Sequence, residues 1–398
     1  MKSRILMVTH SYYPEDPRVK REAGVLVDQG YSVDIICLRE IGEKRYEIIS
    51  VKGRIPLPAG KGITVYRLPV KRHRGGGFFI YLFEYLAFFC LAFRKTAVLF
   101  FQKRYKIVQV HTIPDFLVFC SLIPKLFRSS VFLDMHEVMP EFFIDRYNLS
   151  ANQLVIKILK FIEKISTKFA DKIITVSDTL KEILINRGVA ERKITVIMNV
   201  PDTHIFKTPD TVCRIQPTGF TLAYHGLLSD IYDLTGAIKS VKVLKEKIPG
   251  LKFLIIGSGP KENEYKQLVR ELKLEQAVIF KGQILQEKVP EVLGGVDLGV
   301  VPLKNTELTQ LAFPTKVVEY IVLGIPVVTA DRRTIKRYFN QQSLAFYNPV
   351  DENDLTGVIY ALYQDPQKMK NLAENALKCY DAISWEKMKE RYYKLIEQ

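Results

Sequence analysis

The feature that most constrains this chain is the alternation of short β-branched runs with amphipathic helical stretches from end to end. Strands that alternate with helices pair in parallel through right-handed crossovers. The first-half strands are predicted at 5–9, 32–38, 63–67, 107–111, 131–134, 172–176 and 194–197. The second-half strands are predicted at 221–225, 252–256, 277–280, 298–301 and 326–329. The pattern predicts an α/β fold with two Rossmann-like doubly wound domains.

The chain of 398 residues is longer than one hydrophobic core usually serves, so two domains are expected. The alternation breaks after residue 200, which predicts a first domain over 1–200 and a linker over 201–218. The second domain is predicted over 219–380, and a helix over 381–398 is expected to pack back on the first domain. Ligands of open α/β sheets bind at the carboxyl ends of the strands, so the two domains are expected to face each other across a cleft.

Net charge is +15 and lies mostly in the first half, with +13 over residues 1–200 and +2 over the rest. This asymmetry predicts an anionic partner for the first domain, either a membrane surface or a nucleic acid. Nucleic acid is disfavoured because no basic run is interleaved with stacking aromatic residues. The five cysteines are scattered without a Cys-x-x-Cys pair, which is typical of a reducing cytosol. No metal-ligand spacing is found, so neither a metal nor a cofactor is expected.

The most apolar stretch, residues 78–93, would form a helix of roughly 24 Å, shorter than the ~30 Å core of a bilayer. Two interpretations stay open: a half-buried domain helix, or an interfacial helix lying on lipid. Basic residues beside aromatic ones attract anionic headgroups, and they predict a membrane surface. Its residues are Arg72, Arg74, Phe78 and Phe79.

Two segments of the second half have the composition of a phosphate or nucleotide site. Gly257 and Gly259 form a turn between a strand and a helix, where backbone N–H groups can approach a phosphate. Farther on, Pro314 begins a helix on which Lys316 and Glu319 share one face. A lysine there can neutralise a diphosphate, and a carboxylate can accept two ribose hydroxyls. The alternative is a surface ion pair contributing ~0.3 kcal/mol.

In their order and spacing these segments resemble the group 1 (family 4) retaining glycosyltransferases, which have the two-Rossmann GT-B fold. The resemblance covers nearly the whole chain. Its segments are 13–23, His111, 134–137, 170–177, 194–200, 224–226, the Gly257/Gly259 turn and 314–328. It implies a nucleotide-sugar donor, UDP- or GDP-linked, and a glycan or lipid-linked acceptor on the side of the first domain.

The resemblance also implies roles for individual residues. His111 would contact the transferred sugar and the acceptor, with a structural histidine as the alternative, and His136 and Glu137 are further candidates on the acceptor side. Arg18 and Arg21 would bind an anionic donor or acceptor, or are solvated helix charges. The predicted donor-binding residues are Gly226, Gly257, Gly259, Gly282, Thr315, Lys316 and Glu319.

Two departures from the family pattern bear on the donor. The first glutamate of the usual pair separated by seven residues is replaced by Leu311, and residues 227–233 lack the usual cation. The prediction is a metal-independent retaining hexosyltransferase, cytoplasmic and peripheral on the inner membrane face. The alternatives are a nucleotide-sugar 2-epimerase of the same fold and a non-catalytic GT-B partner subunit.

Overall fold

The structure, a computed structural model, describes residues 3–40, 42–49, 62–73, 77–147, 149–201, 203, 205–207 and 219–398. The chain divides into two compact units: unit 1 contains Met1–Met198 and Lys389–Gln398, and unit 2 contains Asn199–Met388. Most of the predicted linker 201–218 lies outside the described residues.

Unit 1 is built from eight strands with helices between most of them. In chain order these are β1 (Arg4–Tyr12), α1 (Pro17–Asp28), β2 (Ser32–Leu38), β3 (Tyr46–Ile49), β4 (Ile63–Leu68), α2 (Phe78–Lys103), β5 (Ile107–His111), a 3-10 helix (Asp115–Ser121), α3 (Leu122–Leu126), β6 (Ser130–Met135), α4 (Met139–Tyr147), α5 (Leu154–Phe169), β7 (Lys172–Thr175), α6 (Asp178–Asn186), a short 3-10 turn (Glu191–Lys193) and β8 (Ile194–Val196).

The sheet of unit 1 has the order β3-β4-β2-β1-β5-β6-β7-β8, and all its pairs are parallel except β3 with β4. The chain runs outward from β1 to β2 and β4 and then returns to β5 on the other side of β1. The strand order therefore reverses between β1 and β5, which makes the crevice at their carboxyl ends the expected ligand site.

Unit 2 repeats this plan with six parallel strands in the order β11-β10-β9-β12-β13-β14. Its elements are β9 (Thr221–His225), α7 (Leu234–Leu244), β10 (Lys252–Ile256), α8 (Glu262–Glu271), β11 (Val278–Gly282), a 3-10 turn (Gln286–Lys288), α9 (Val289–Leu293), β12 (Leu298–Val301), α10 (Glu307–Leu311), α11 (Thr315–Val322), β13 (Val327–Ala330), α12 (Arg333–Tyr338), β14 (Ala345–Tyr347), α13 (Asp354–Gln364) and α14 (Pro366–Asp381). Its strand order reverses between β9 and β12.

The last helix, α15 (Trp385–Glu397), begins in unit 2 and ends in unit 1. Within unit 1, the Tyr392 hydroxyl donates to Oε1 of Gln109 at 2.6 Å, and the Tyr393 hydroxyl donates to the Val25 carbonyl at 3.0 Å. The carboxyl-terminal residues thus complete the core of the unit that the chain began with.

The α/β architecture predicted from the alternation is confirmed, with three local differences. The sequence gives no signal for β3 and β14, which are short and lie at sheet edges. The apolar helix predicted over 78–93 continues to Lys103, because Leu99 and Phe100 extend its buried face. Nowhere in the described ranges is a helix both long enough and apolar enough to span a bilayer.

Candidate functional site

In unit 1, polar side chains collect where β1, β5 and β6 end. The strands themselves are buried and mostly apolar, so the sheet positions His111 at the end of β5 and Asp134 near the end of β6. These two residues are register partners on adjacent parallel strands. His136 follows one residue after β6, and its ring stacks parallel to that of His111 with the centroids 6.0 Å apart.

Asp134 joins the two histidines. Its carboxylate lies 2.8 Å from Nδ1 of His111 and 3.1 Å from Nε2 of His136. Burial alone would raise the pKa of Asp134, but the two imidazoles outweigh it and hold that pKa below its usual range. Burial likewise opposes charge on His111, yet Asp134 raises the pKa of this imidazole above its usual value. The pKa of His136 is lowered by burial and by the charge of Arg18, so the proton belongs on His111.

The same three residues could hold a metal ion, since one ligand atom from each lies within 4.8 Å of the other two. Each carboxylate oxygen, however, already lies at hydrogen-bonding distance from an imidazole nitrogen. Chemically, the arrangement suits an aspartate that orients an imidazolium. The absence of a metal from the reaction stays a prediction.

A buried hydrogen-bonded chain supports Asp134 from behind. The Gln109 amide nitrogen donates to Glu22 at 2.6 Å and lies 3.3 Å from Asp134, and its carbonyl accepts from Tyr392. Burial and the charge of Asp134 raise the pKa of Glu22 to about 8. The raised pKa favours the neutral carboxyl of Glu22, which reduces the negative charge beside Asp134.

The two predicted anion-binding arginines lie on α1. Asp16 caps this helix through the Arg18 amide, and the Arg18 guanidinium donates two bonds to the Asp16 carboxylate at 3.1 and 3.0 Å. Arg18 is thus paired and partly buried, rather than a fully solvated helix charge. Arg21 is partly buried one turn later, and Glu137 is exposed directly after His136. Their ligand roles stay predictions.

A second buried histidine, His10 near the end of β1, faces an acid from α2. Its Nε2 lies 3.2 Å from Glu84, whose other oxygen accepts from the His73 amide at 2.7 Å. The His10 ring also contacts the rings of Tyr85 and Phe88 edge-on. Burial lowers the pKa of His10 despite Glu84. Glu84, the one acidic residue of α2, is thus buried and paired with groups of unit 1.

In unit 2, the start of α11 meets the end of β9. Lys316 is buried, its Nζ is 3.0 Å from the Tyr224 hydroxyl, and it lies 3.4 Å from the centroid of the Tyr232 ring. Burial holds the pKa of Lys316 well below its usual range, and the charge of Glu319 offsets only part of this effect. A buried lysine between two aromatic rings is not the surface ion pair that the spacing also allowed.

Glu319, one turn further along α11, pairs with the last residue of β9. Its Oε2 lies 2.5 Å from Nε2 of His225, and the His225 ring contacts Tyr320 edge-on. One oxygen of the carboxylate is thereby fixed by protein. Thr315, the first residue of α11, directly precedes Lys316 and is partly buried.

The predicted glycines bring the loops after β9 and β10 into backbone contact. A Cβ at Gly257 (φ +135°) would lie 2.0 Å from the Gly226 carbonyl oxygen, and one at Gly226 (φ +121°) would lie 2.9 Å from Nζ of Lys316. The Gly226 amide donates to Ile256, and the Gly257 amide donates to Gly282. These two amides thus hold neighbouring loops together, and a Cβ at Gly259 would likewise meet the Leu228 backbone. Phosphate contacts of the four glycines stay predictions.

The predicted membrane residues are only partly described. Arg72 is exposed, Arg74 lies outside the described residues, and Phe78 and Phe79 form the first two positions of α2. Farther along α2, Phe88 and Ala92 pack in the core, as expected of a half-buried domain helix, and Phe83 is exposed. Contact of this helix with lipid stays a prediction.

Several residues of these clusters escaped the sequence-based prediction. His225 is the last residue of its strand, the same position that singled out His111, and His10 lies near the end of β1. Gln109 and Glu22 carry no such signal, because nothing in a strand or helix pattern indicates that two distant polar residues meet in a core.

Comparison with known proteins decides the family. Residues 18–204 match the family described as Glycosyltransferase Family 4, and residues 214–378 match the family described as Glycosyl transferases group 1. The chain belongs to the group 1, family 4 glycosyltransferases. The two matches together span both units, and the family predicted from the sequence is confirmed.

Similarity to a curated relative is distant in sequence. The chitobiosyldiphosphodolichol beta-mannosyltransferase of Candida glabrata is 23% identical over 282 residues, which are 64% of this chain and 62% of that protein. The chain thus spans about three fifths of the length of this curated relative.

Among solved structures, sucrose-phosphate synthase from Thermosynechococcus elongatus has a TM-score of 0.73 at 18% identity, covering 100% of this chain and 99% of that one. Anabaena HepE in complex with UDP-glucose has a TM-score of 0.70 at 15% identity over 100% of both chains. At these identities the likeness establishes the fold, and the GT-B architecture with two Rossmann-like domains is confirmed.

Proposed function

We propose that this chain transfers a hexose from a UDP- or GDP-linked donor to a glycan or lipid-linked acceptor, with retention of anomeric configuration. The observation that carries the proposal is the convergence of Lys316, Glu319 and His225 at the end of β9, where the strand order of unit 2 reverses. Open α/β sheets bind ligands at this position. Membership of the glycosyltransferase family supports the reaction class.

The donor is held by groups of opposite character. Glu319 offers its carboxylate to the two ribose hydroxyls, and His225 orients it through one oxygen. Lys316 supplies positive charge to the diphosphate, which is the leaving group. Since residues 227–233 contain no cation, Lys316 carries this task within unit 2 without a metal.

The sugar and acceptor are handled by the His111 cluster. The imidazolium, oriented through Nδ1 by Asp134, donates a hydrogen bond from Nε2 to the transferred sugar, with His136 and Glu137 on the acceptor side. In a same-face displacement, the bond from the anomeric carbon to the phosphate oxygen breaks. The bond to the acceptor oxygen forms on the same face, and the acceptor proton passes to the leaving phosphate oxygen.

The acceptor class draws support from the Candida glabrata relative, whose name describes mannosyl transfer to a dolichol-linked chitobiosyl diphosphate. An acceptor carried on a lipid places the reaction at a membrane surface. We therefore infer a peripheral enzyme at the cytoplasmic face, to which the +15 net charge is suited.

The first test is nucleotide binding by thermal shift with UDP, GDP and their sugars, on the wild type and on Glu319→Ala. At 100 times its Kd, the correct nucleotide should stabilise the wild type by ~2.7 kcal/mol, and the Glu319→Ala variant should lose most of this shift. Glu275→Ala, an exposed carboxylate of the same unit, should keep it.

Transfer is then assayed with the nucleotide-sugar so identified and a lipid-diphosphate disaccharide, with the anomeric product assigned by NMR. Undiminished turnover in chelator supports the metal-free route, whereas chelator-sensitive turnover would direct attention to His111, Asp134 and His136. Inverted product would refute retention. Conversion of the nucleotide-sugar without acceptor would favour the epimerase, and no shift with any nucleotide would favour a non-catalytic partner.

A further inference from the structure

The exposed apolar side chains of this molecule are concentrated on one part of unit 1. Of the 18 large apolar residues that are exposed in the described part of the chain, 12 lie on α2, α3 and α5 or on the residue that caps α3. They are Ile80, Phe83, Leu86, Val98, Phe101, Leu122, Leu126, Phe127, Leu154, Ile158, Phe161 and Ile165. We call this surface the α2–α3–α5 face.

The three helices lie on one side of the sheet. The connections from β4 to β5, from β5 to β6 and from β6 to β7 all step in the same direction, so right-handed crossovers place their helices on the same side. Helices α2 and α5 both pack against the 3-10 helix Asp115–Ser121, which leads into α3. The exposed stripes of these helices therefore belong to a single outer layer.

Helix α5 has three distinct stripes. Ile156 and Leu159 pack inward with Met139 and Phe143 of α4. Leu154, Ile158, Phe161 and Ile165, spaced by four, three and four residues, form a second apolar stripe that is exposed, with Phe161 62% exposed. Lys157, Lys160, Lys164 and Lys168 form an exposed basic stripe directly beside it. A globular helix needs only one apolar stripe, so the second one is available for another partner.

One exposed carboxylate, that of Asp171, pairs with Lys125 of α3. The acidic residues of the three helices themselves are withdrawn from this face. The acidic residues of α2, α3 and α5 are Glu84 and Glu163, and both are buried. Glu84 meets His10 and His73, and Glu163 pairs with Arg187 at 2.7 Å. The exposed charges of the three helices are consequently all positive.

A basic side chain also lies beside apolar groups where α2 ends. The Arg104 guanidinium lies 5.0 Å from the Phe100 ring centroid, 5.7 Å from that of Phe101 and 5.5 Å from that of Phe127. Phe100 is buried, whereas Arg104, Phe101 and Phe127 are exposed. An exposed cation beside exposed aromatic rings matches the boundary between headgroups and acyl chains.

We propose that the α2–α3–α5 face binds an anionic lipid surface, with α5 lying in the plane of the interface. Leu154, Ile158, Phe161 and Ile165 enter the acyl region while the adjacent lysines contact headgroup phosphates. A second copy of the chain fits less well, because pairing this face with itself brings like charges together. The inference deepens the proposed function, since it rests on a lipid-linked acceptor and names the surface that meets the lipid.

The test is flotation of the intact protein with vesicles of phosphatidylcholine containing about one third phosphatidylglycerol. The double variant Ile158→Ser and Phe161→Ser should bind the vesicles at least about tenfold more weakly than the wild type, because the apolar contact is lost. The control variant Leu285→Ser and Val350→Ser removes two apolar residues of unit 2 that are more exposed than Ile158 and Phe161, and it should bind like the wild type.

Charge is tested by the triple variant Lys157→Gln, Lys160→Gln and Lys164→Gln, which should lose binding to the anionic vesicles and little of the weaker binding to phosphatidylcholine alone. Unchanged flotation of the apolar variant, or none by the wild type, would overturn the proposal. So would a change in the mass of the vesicle-free protein on mutation of Phe161, because it would show that a second copy covers the face.

The nucleotide thermal shift is measured on the same variants. Lost flotation with an unchanged nucleotide shift supports lipid docking independently of the reaction. If flotation depends on Phe161 but no nucleotide gives a thermal shift, the proposed function is contradicted and lipid binding by the α2–α3–α5 face is still supported.

Discussion

Lys316 reaches back from the first turn of α11 and lies against the rings of Tyr224 and Tyr232, where a positive charge loses most of its hydration. Burial disfavours the ammonium form, and under the proposed function a bound diphosphate would stabilise it. Glu319 lies one turn along the same helix but pairs with an imidazole. Two residues on one helical face thus have different surroundings, and under the proposed function Lys316 would meet the diphosphate and Glu319 the ribose.

We expect diphosphate binding to be accompanied by proton uptake at Lys316, because an anion raises the lowered pKa. Titration calorimetry with UDP or GDP, in buffers of different ionisation enthalpy, measures this uptake directly. The uptake should vanish in Lys316→Met and persist in Lys288→Met, an exposed lysine of the same unit. Equal uptake by all three proteins would assign the proton to another group.

The lowered pKa of Lys316 also predicts how the free energy of unfolding depends on pH. Between its lowered folded pKa and its unfolded value of about 10.4, the unfolded chain binds more protons, so the free energy of unfolding should rise with pH. Lys316→Met should lack this rise and be more stable near pH 7, by about 1–3 kcal/mol. Urea unfolding at several pH values measures both effects, and a destabilised Lys316→Met would contradict the assignment.

We expect Asp134 to stabilise the charged form of His111 in the folded protein. Asp134→Asn leaves a buried imidazole without its counter-charge, and we expect a loss of about 3–5 kcal/mol near pH 6. The His111 pKa is raised, so its stabilisation is present below the unfolded pKa and is lost as pH rises through the folded one. The difference between variant and wild type should therefore shrink toward pH 9.

Urea unfolding at both pH values measures this dependence. Asp230→Asn, an exposed carboxylate of unit 2, should change the free energy of unfolding by less than about 1 kcal/mol. A pH-independent loss in Asp134→Asn would show that Asp134 acts by packing alone.

At the scale of elements, α15 offers a matched pair of tyrosines that a sequence pattern cannot rank. Tyr392 is fully buried and donates to Gln109, whereas the partly buried Tyr393 donates to a backbone carbonyl of α1. Tyr392→Phe strips a donor from a buried amide oxygen and should cost about 1–3 kcal/mol. Tyr393→Phe leaves an oxygen closer to solvent and should cost less. Denaturant unfolding ranks them, and equal losses would argue against a special role for the buried chain from Tyr392 to Asp134.

The helices and strands that the sequence predicted well are those with long, regular apolar spacing. Helix α2 was recognised but ended too early at residue 93, since its buried residues continue to Phe100. The short edge strands β3 and β14 were missed, because only pairing with a neighbour makes them strands. For helix α5, the sequence displays the lysines and the apolar residues but does not indicate which apolar stripe is exposed. That depends on how the helix packs on α4.

At the scale of the whole molecule, the carboxyl-terminal residues return to unit 1, so that unit is discontinuous in sequence. The basic excess also lies in the first 200 residues, and the α2–α3–α5 face presents part of it beside apolar side chains. Unit 2 is nearly neutral and contains the Lys316 and Glu319 cluster. The two units thus differ in charge and in the side chains that they gather, although both follow the same strand-and-helix plan.

By itself the sequence determined the α/β class, the two Rossmann-like domains, the family, and the strand ends and helix starts that carry His111, Lys316 and Glu319. These features depend on local spacing, which a linear chain displays directly. Only the tertiary structure decided that Asp134 bridges two histidines, that Gln109 links it to Tyr392, and that Lys316 lies between tyrosine rings. Such contacts join residues far apart in the chain, and burial then sets their charge and exposure, so no local pattern contains them.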